Sequence, residues 1–212
     1  MRARLAVPLA ALCVVTGANA AVAAAKPACL LVVDAAGDGT SFGGTVPNRD
    51  SLDIRSADVA TGARNLVGVI RLGSVSVDPT LATGVNYTLS WRAGVVHQAF
   101  SLSQYADGSR VAVFIPNVDS TGGGNAVDAT FTVQPATNTL TFSVPRKANP
   151  VLAKRGARFN GLSVSAAPDA NIGVNQNGFS FTVDGSLGNI DGDTASSGKT
   201  YTDLARSCVK GV

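Results

Sequence analysis

The sequence predicts an all-β protein, a two-sheet antiparallel β-sandwich of jelly-roll type, on three observations. Beyond the first 25 residues glycine, serine, threonine and valine are abundant, and strand-favouring residues recur in short blocks separated by turn signals. Every acid is an aspartate and there is no glutamate, which argues against long helices. Alternation with period two marks half-buried strands in "ATFTV", where Ala129, Phe131 and Val133 share a face, and in "TLTFSV", where Leu140, Phe142 and Val144 do. Such faces need a second sheet to cover them.

The N-terminal segment reads as a leader. Arg2 and Arg4 precede an apolar run from Leu5 to Val15, followed by small residues with A-x-A sites ending at Ala20 and Ala25. That is the layout of a secretory signal peptide over residues 1–25, and the apolar run is shorter than the roughly 20 residues of a spanning helix. Neither Cys13 nor Cys29 follows the small-residue box that lipid attachment needs. The expected product is one exported domain, residues 26–212, with no membrane span after cleavage.

Without Arg2 and Arg4, 15 basic residues face 14 acids, a balance that gives nucleic-acid binding no support. One basic group stands out in "RKANPVLAKRGARF": Arg146, Lys147, Lys154, Arg155 and Arg158. With no aromatic residues interleaved for base stacking, it reads as a solvated loop.

After the leader two cysteines remain, Cys29 and Cys208, and an even pair in an oxidising compartment is expected to close. There is no C-x-x-C, so the bridge is structural. On the chain-entropy model a loop this long contributes up to about 5 kcal/mol.

Strands are expected at about Ala28–Val33, Leu52–Ala60, Asn65–Leu72, Tyr87–Arg92, Val95–Ser103, Arg110–Pro116, Ala126–Val133, Thr139–Val144, Asn160–Ala166 and Phe179–Val183. Hairpin turns are expected at Gly94, at Asp107-Gly108 and at Asn138. The glycine-rich segments Asp119–Asn125 and Gly185–Lys199 read as long loops.

Aspartates crowd the segment from Asp34 to Asp58. Calcium is the metal this chain suits, because calcium takes oxygen ligands whereas zinc and copper prefer imidazole or thiolate. The candidate ligands are Asp34, Asp38 and Asp53, which a loop over Gly37–Ser51 brings to one sheet edge. Asp50 and Asp58 are the further acids of the segment. The competing account makes Asp34 and Asp38 turn-formers, turns Asp53 and Asp58 outward from a strand, and neutralises the group with Arg49 or Arg55. Asp191-Gly192-Asp193 is shorter than an EF-hand loop and lacks its closing glutamate.

Catalysis has little material. The one histidine, His97, sits in a strand pattern, no G-x-S-x-G is present, and both remaining cysteines are expected to pair, so no catalytic residue is assigned. Trp91 and Tyr87 share parity with Leu89 and read as core residues rather than a sugar platform. Asn86-Tyr87-Thr88 is a formal glycosylation sequon inside a predicted strand and is given no role.

The segments "CLLVVDAAGDGT", "LDIRSADVATGARNLVGVIRL" and "TGVNYTLSW" resemble a group of secreted actinobacterial domains. The D-x-x-G-D motif followed by L-D-I is similar to the opening of DOMON and family 9 carbohydrate-binding-module domains. These resemblances imply a non-catalytic sandwich. The resulting expectation is a secreted binding or interaction module for polysaccharide or cell-envelope components. A structural or accessory domain without a small-molecule ligand is the second reading, and an exported hydrolase the third.

Overall fold

The computed structural model describes residues 26–39, 50–77, 84–105, 107–120, 126–153, 155–168, 171–175, 178–182 and 192–210. The expected leader, Arg49, Lys154 and, in the glycine-rich segments, residues 121–125 and 185–191 lie outside them. No helix among the described residues is long and apolar enough to cross a membrane.

Two antiparallel sheets pack face to face. The first contains β1 (Val32–Val33), β2 (Ile54–Thr61), β3 (Asn65–Leu72), β8 (Thr130–Gln134) and β9 (Thr139–Pro145), in the order β1-β2-β3-β9-β8. The second contains β4 (Val85–Ala93), β5 (Val96–Gln104), β6 (Arg110–Ile115), β7 (Val127–Asp128), β10 (Arg158–Pro168) and β13 (Asp193–Ser197), in the order β13-β10-β4-β5-β6-β7, with β14 (Tyr201–Thr202) also paired to β10. A separate hairpin joins β11 (Asn171–Asn175) to β12 (Gly178–Thr182).

Strand β4 follows the alternation rule closely. Val85, Tyr87, Leu89, Trp91 and Ala93 are buried while the residues between them face outward. Opposite it, β2 and β3 are buried on both faces, so Asp58, Val67 and Val69 are as enclosed as Ile70. This explains the near-continuous apolar run "LVGVI" in β3.

Between the sheets runs a chain of aromatic rings. Tyr201 lies 5.9 Å from Phe159, Phe159 5.7 Å from Trp91, Trp91 5.6 Å from Phe100, and Phe100 5.4 Å from Phe142. Gly68 faces this row, and a Cβ there would lie 2.7 Å from the Phe100 ring. The absence of a side chain lets β3 approach the opposite sheet.

The predicted bridge is present: Cys29 and Cys208 are joined, with Cα atoms 5.3 Å apart across 179 residues of sequence. Hairpin turns fall at Gly94, Gly108 and Asn138, all with positive φ.

Two expectations need correction. The strand predicted over Ala126–Val133 is two strands: β7 pairs with β6, the Ala129 N–H donates to Ala112 O, and β8 continues in the other sheet. The chain changes sheets at Ala129, which periodicity does not reveal. Within the segment read as a Gly185–Lys199 loop, Asp193–Ser197 forms strand β13 on β10. Its polar composition suits an edge position, where only Asp193 and Ala195 turn inward.

Candidate functional site

The register gives the sandwich two chemically different ends. At one lie the start of β2, the ends of β3 and β10, the start of β4 and the start of β13. This is the aspartate end. At the other lie the β2–β3 turn, the end of β9, the start of β10 and the β14 turn. This is the arginine end.

Strand β1 delivers Asp34 to the aspartate end, where its N–H donates to Arg55 O at 3.2 Å. A tight turn follows, with Gly37 at φ 71°, and sets Asp38 on the surface. Asp193 arrives from the far end of the sequence as the first residue of β13. It is buried, and its Oδ2 accepts the Ile54 N–H at 2.8 Å, tying the second sheet to the first. One carboxylate oxygen from each of Asp34, Asp38 and Asp193 lies within 4.8 Å of the others.

Among the described residues no cation pairs with this cluster. Asp34 Oδ1 accepts the Ala35 N–H at 3.1 Å, but its Oδ2 is buried and has no hydrogen-bond partner among the described residues. Burial and the charge of Asp38 raise the Asp34 pKa, against the Ala35 hydrogen bond and the interaction with the Asp193 side chain. Burial, with the charges of Asp34 and Asp38 adding to it, pushes Asp193 up to about 6 against the opposing hydrogen bond from Ile54.

Of the three predicted ligands, Asp34 and Asp38 come together and Asp53 takes a different role. Asp53 is buried, pairs with Arg55 and accepts the Gly37 N–H at 3.1 Å. Gly73 packs directly against it, so that a Cβ there would sit 2.9 Å from Asp53 Oδ2. Asp53 therefore shapes the turn that carries Asp38, and the third converging carboxylate belongs to Asp193. Asp58, on the same strand as Arg55, accepts the Leu31 N–H at 2.8 Å and pairs with Arg71 at 2.7 Å.

The arginine end is built differently. Arg146 lies at the end of β9 and forms two 2.6 Å bonds with Asp203, one to each carboxylate oxygen, while also donating to Leu152 O at 3.1 Å. Asp203 further accepts the Thr61 hydroxyl at 2.7 Å and the Gly156 N–H at 3.2 Å. Burial alone would raise its pKa, but the bonds from Arg146, Thr61 and Gly156 hold it below the usual value. Sequence reading placed Arg146 in a solvated loop; its carboxylate lies 57 residues downstream, beyond the reach of a local pattern.

His97 lies in a partly exposed cluster with Asp119, 3.3 Å from its Nδ1, and Arg92 approaches the other Asp119 oxygen at 3.4 Å. Trp91 and Tyr87 are fully buried, with Trp91 Nε1 donating to Gln98 and the Tyr87 hydroxyl to Ser51 O. Asn86 donates to the Ser101 and Ser103 hydroxyls. Comparison of the chain with family models, curated proteins and solved structures gives no match.

Proposed function

We propose that the protein is an exported, non-catalytic binding module for a polysaccharide or cell-envelope component, and that Asp34, Asp38 and Asp193 hold a calcium ion that completes the aspartate end. The observation that carries the calcium site is the convergence of three carboxylates from two distant chain segments, together with an Asp34 oxygen that is buried and has no hydrogen-bond partner among the described residues. Calcium binds six to eight oxygens at about 2.4 Å, so ligands on opposite sides of one ion lie about 4.8 Å apart. Three oxygens no more than 4.8 Å apart are compatible with one such sphere. Arg55, the sequence neighbour suited to neutralise the group, is already engaged by Asp53.

Calcium added at neutral pH is expected to raise the melting temperature in a saturable way, since a ligand that binds only the folded state stabilises it by mass action. Retention on cell-wall fractions tests the binding role. One observation favours the accessory-domain reading instead: Trp91, Tyr87 and Tyr201 are buried, leaving Tyr105 as the only Trp or Tyr of the chain at the surface. A module without an aromatic platform must recognise its partner by charge and hydrogen bonds.

A further inference from the structure

The arginine end carries a cleft of about 570 Å³ between the β2–β3 turn and the 3-10 turns that follow β9. Leu152 and Asn149 form its buried floor, while Arg64, Pro145, Lys147 and Pro150 stand exposed around the rim. Its size falls within the ~300–1,000 Å³ typical of small-molecule sites.

The walls are held in place by buried polar groups. The Arg146 N–H donates to Arg64 O at 2.6 Å, fixing the two rim segments side by side. The Arg146 guanidinium is occupied by Asp203 and Leu152 O, so it positions the cleft rather than facing a ligand. Beneath the floor, Asn149 exchanges 2.9 Å bonds with Gln98, which also accepts from Trp91 Nε1. Preformed walls reduce the ordering cost of binding.

Two cations remain for a ligand. Among the described residues neither Arg64 nor Lys147 has a carboxylate within ion-pair distance. We infer that this cleft takes a uronic acid residue of an acidic polysaccharide, its ring over Leu152 and the rim prolines and its carboxylate between Arg64 and Lys147. This inference rests on the binding-module reading and names its ligand class. A uronate carries an apolar ring face and a carboxylate on one residue, which matches a largely apolar cleft with a cationic rim. A glycerol phosphate polymer offers charge without the ring, and nucleic acid would need an aromatic platform that the cleft lacks.

The test is calorimetric titration of the full mature chain with a short oligogalacturonate, its methyl ester, a poly(glycerol phosphate) and single-stranded DNA, alongside cell-wall retention. The acid form is expected to bind and the uncharged ester to fail. Arg64→Gln with Lys147→Gln should weaken binding about tenfold or more while melting stays unchanged, since both side chains are exposed. Arg64→Lys with Lys147 intact should retain most of the affinity. Equal binding by the double variant, or equal or tighter binding of the phosphate polymer or DNA, overturns the inference. Absent oligogalacturonate binding with cell-wall retention intact sinks this inference alone, whereas loss of both removes the binding-module reading beneath it.

Discussion

Both ends of the sandwich bury aspartate carboxylates, yet the two ends treat them oppositely. At the arginine end Asp203 receives Arg146, Thr61 and Gly156, and its pKa falls below the usual value. At the aspartate end Asp193 is buried beside two negative neighbours, and its pKa rises to about 6 despite backbone hydrogen bonds from Ile54 and Thr194. The buried side-chain atoms without a partner among the described residues, on Asp34, Ser51 and Gln104, all lie at that second end. Burial is common to both, so the partner decides the sign. Among the described residues one end is electrostatically complete, while no cation pairs with the carboxylates of the other.

The largest expected effect comes from opening the clasp beside the arginine end, where the Ala28 N–H donates to Arg206 O. Cys29→Ser with Cys208→Ser should cost up to about 5 kcal/mol, because a closed loop of 179 residues strongly restricts the unfolded chain. Denaturant unfolding measures it, and a stability unchanged by reduction would show that the ends are held without the bridge.

Asp203→Ala comes next, at about 3–5 kcal/mol, because it leaves Arg146 partly buried without its counter-charge. The middle of the sandwich supplies a reference: Gly68→Ala forces a contact with Phe100 and should cost about 1–3 kcal/mol by overpacking, with no dependence on calcium.

The pH responses should also separate the ends. A carboxyl whose pKa is raised on folding binds its proton more tightly in the folded protein, so protonation stabilises. In chelator, stability should therefore rise as pH falls from 7 through about 6, and Asp193→Asn should flatten that rise. Asp203 has the opposite sign. Its contribution is present above the unfolded value of 3.8 and is lost as pH falls through its lowered folded value. A single protein that gains stability between pH 7 and 5 and loses it in stronger acid would display both ends in one melting series.

Local signals made much of this architecture legible. Strand β3 spans the predicted Asn65–Leu72, and the turns at Gly94 and Asn138 carry the backbone conformation that hairpins require. Asp34 and Asp38 were recognisable because a short turn joins them. Asp193 stands in sequence only in a truncated Asp-Gly-Asp signal, and nothing local ties it to Asp34, because its hydrogen-bond partner Ile54 lies 139 residues away and its strand is too polar to announce itself. Asp53 misled through proximity: one residue before β2, it serves the Gly37 turn and Arg55. Arg146 was hidden likewise, since nothing beside it in sequence identifies Asp203.

The most direct measurement is a calcium titration followed by thermal melting at pH 7, on the wild-type protein and on Asp193→Asn. In chelator, Asp193→Asn should melt slightly above wild type, because a neutral amide relieves the repulsion while its oxygen can keep the Ile54 hydrogen bond. With calcium, the wild-type melting temperature should climb to a plateau, Asp38→Asn should blunt the climb, and Asp193→Asn should abolish it. Identical wild-type melting in excess calcium and in chelator would contradict the account and favour a proton shared within the cluster or pairing with an arginine.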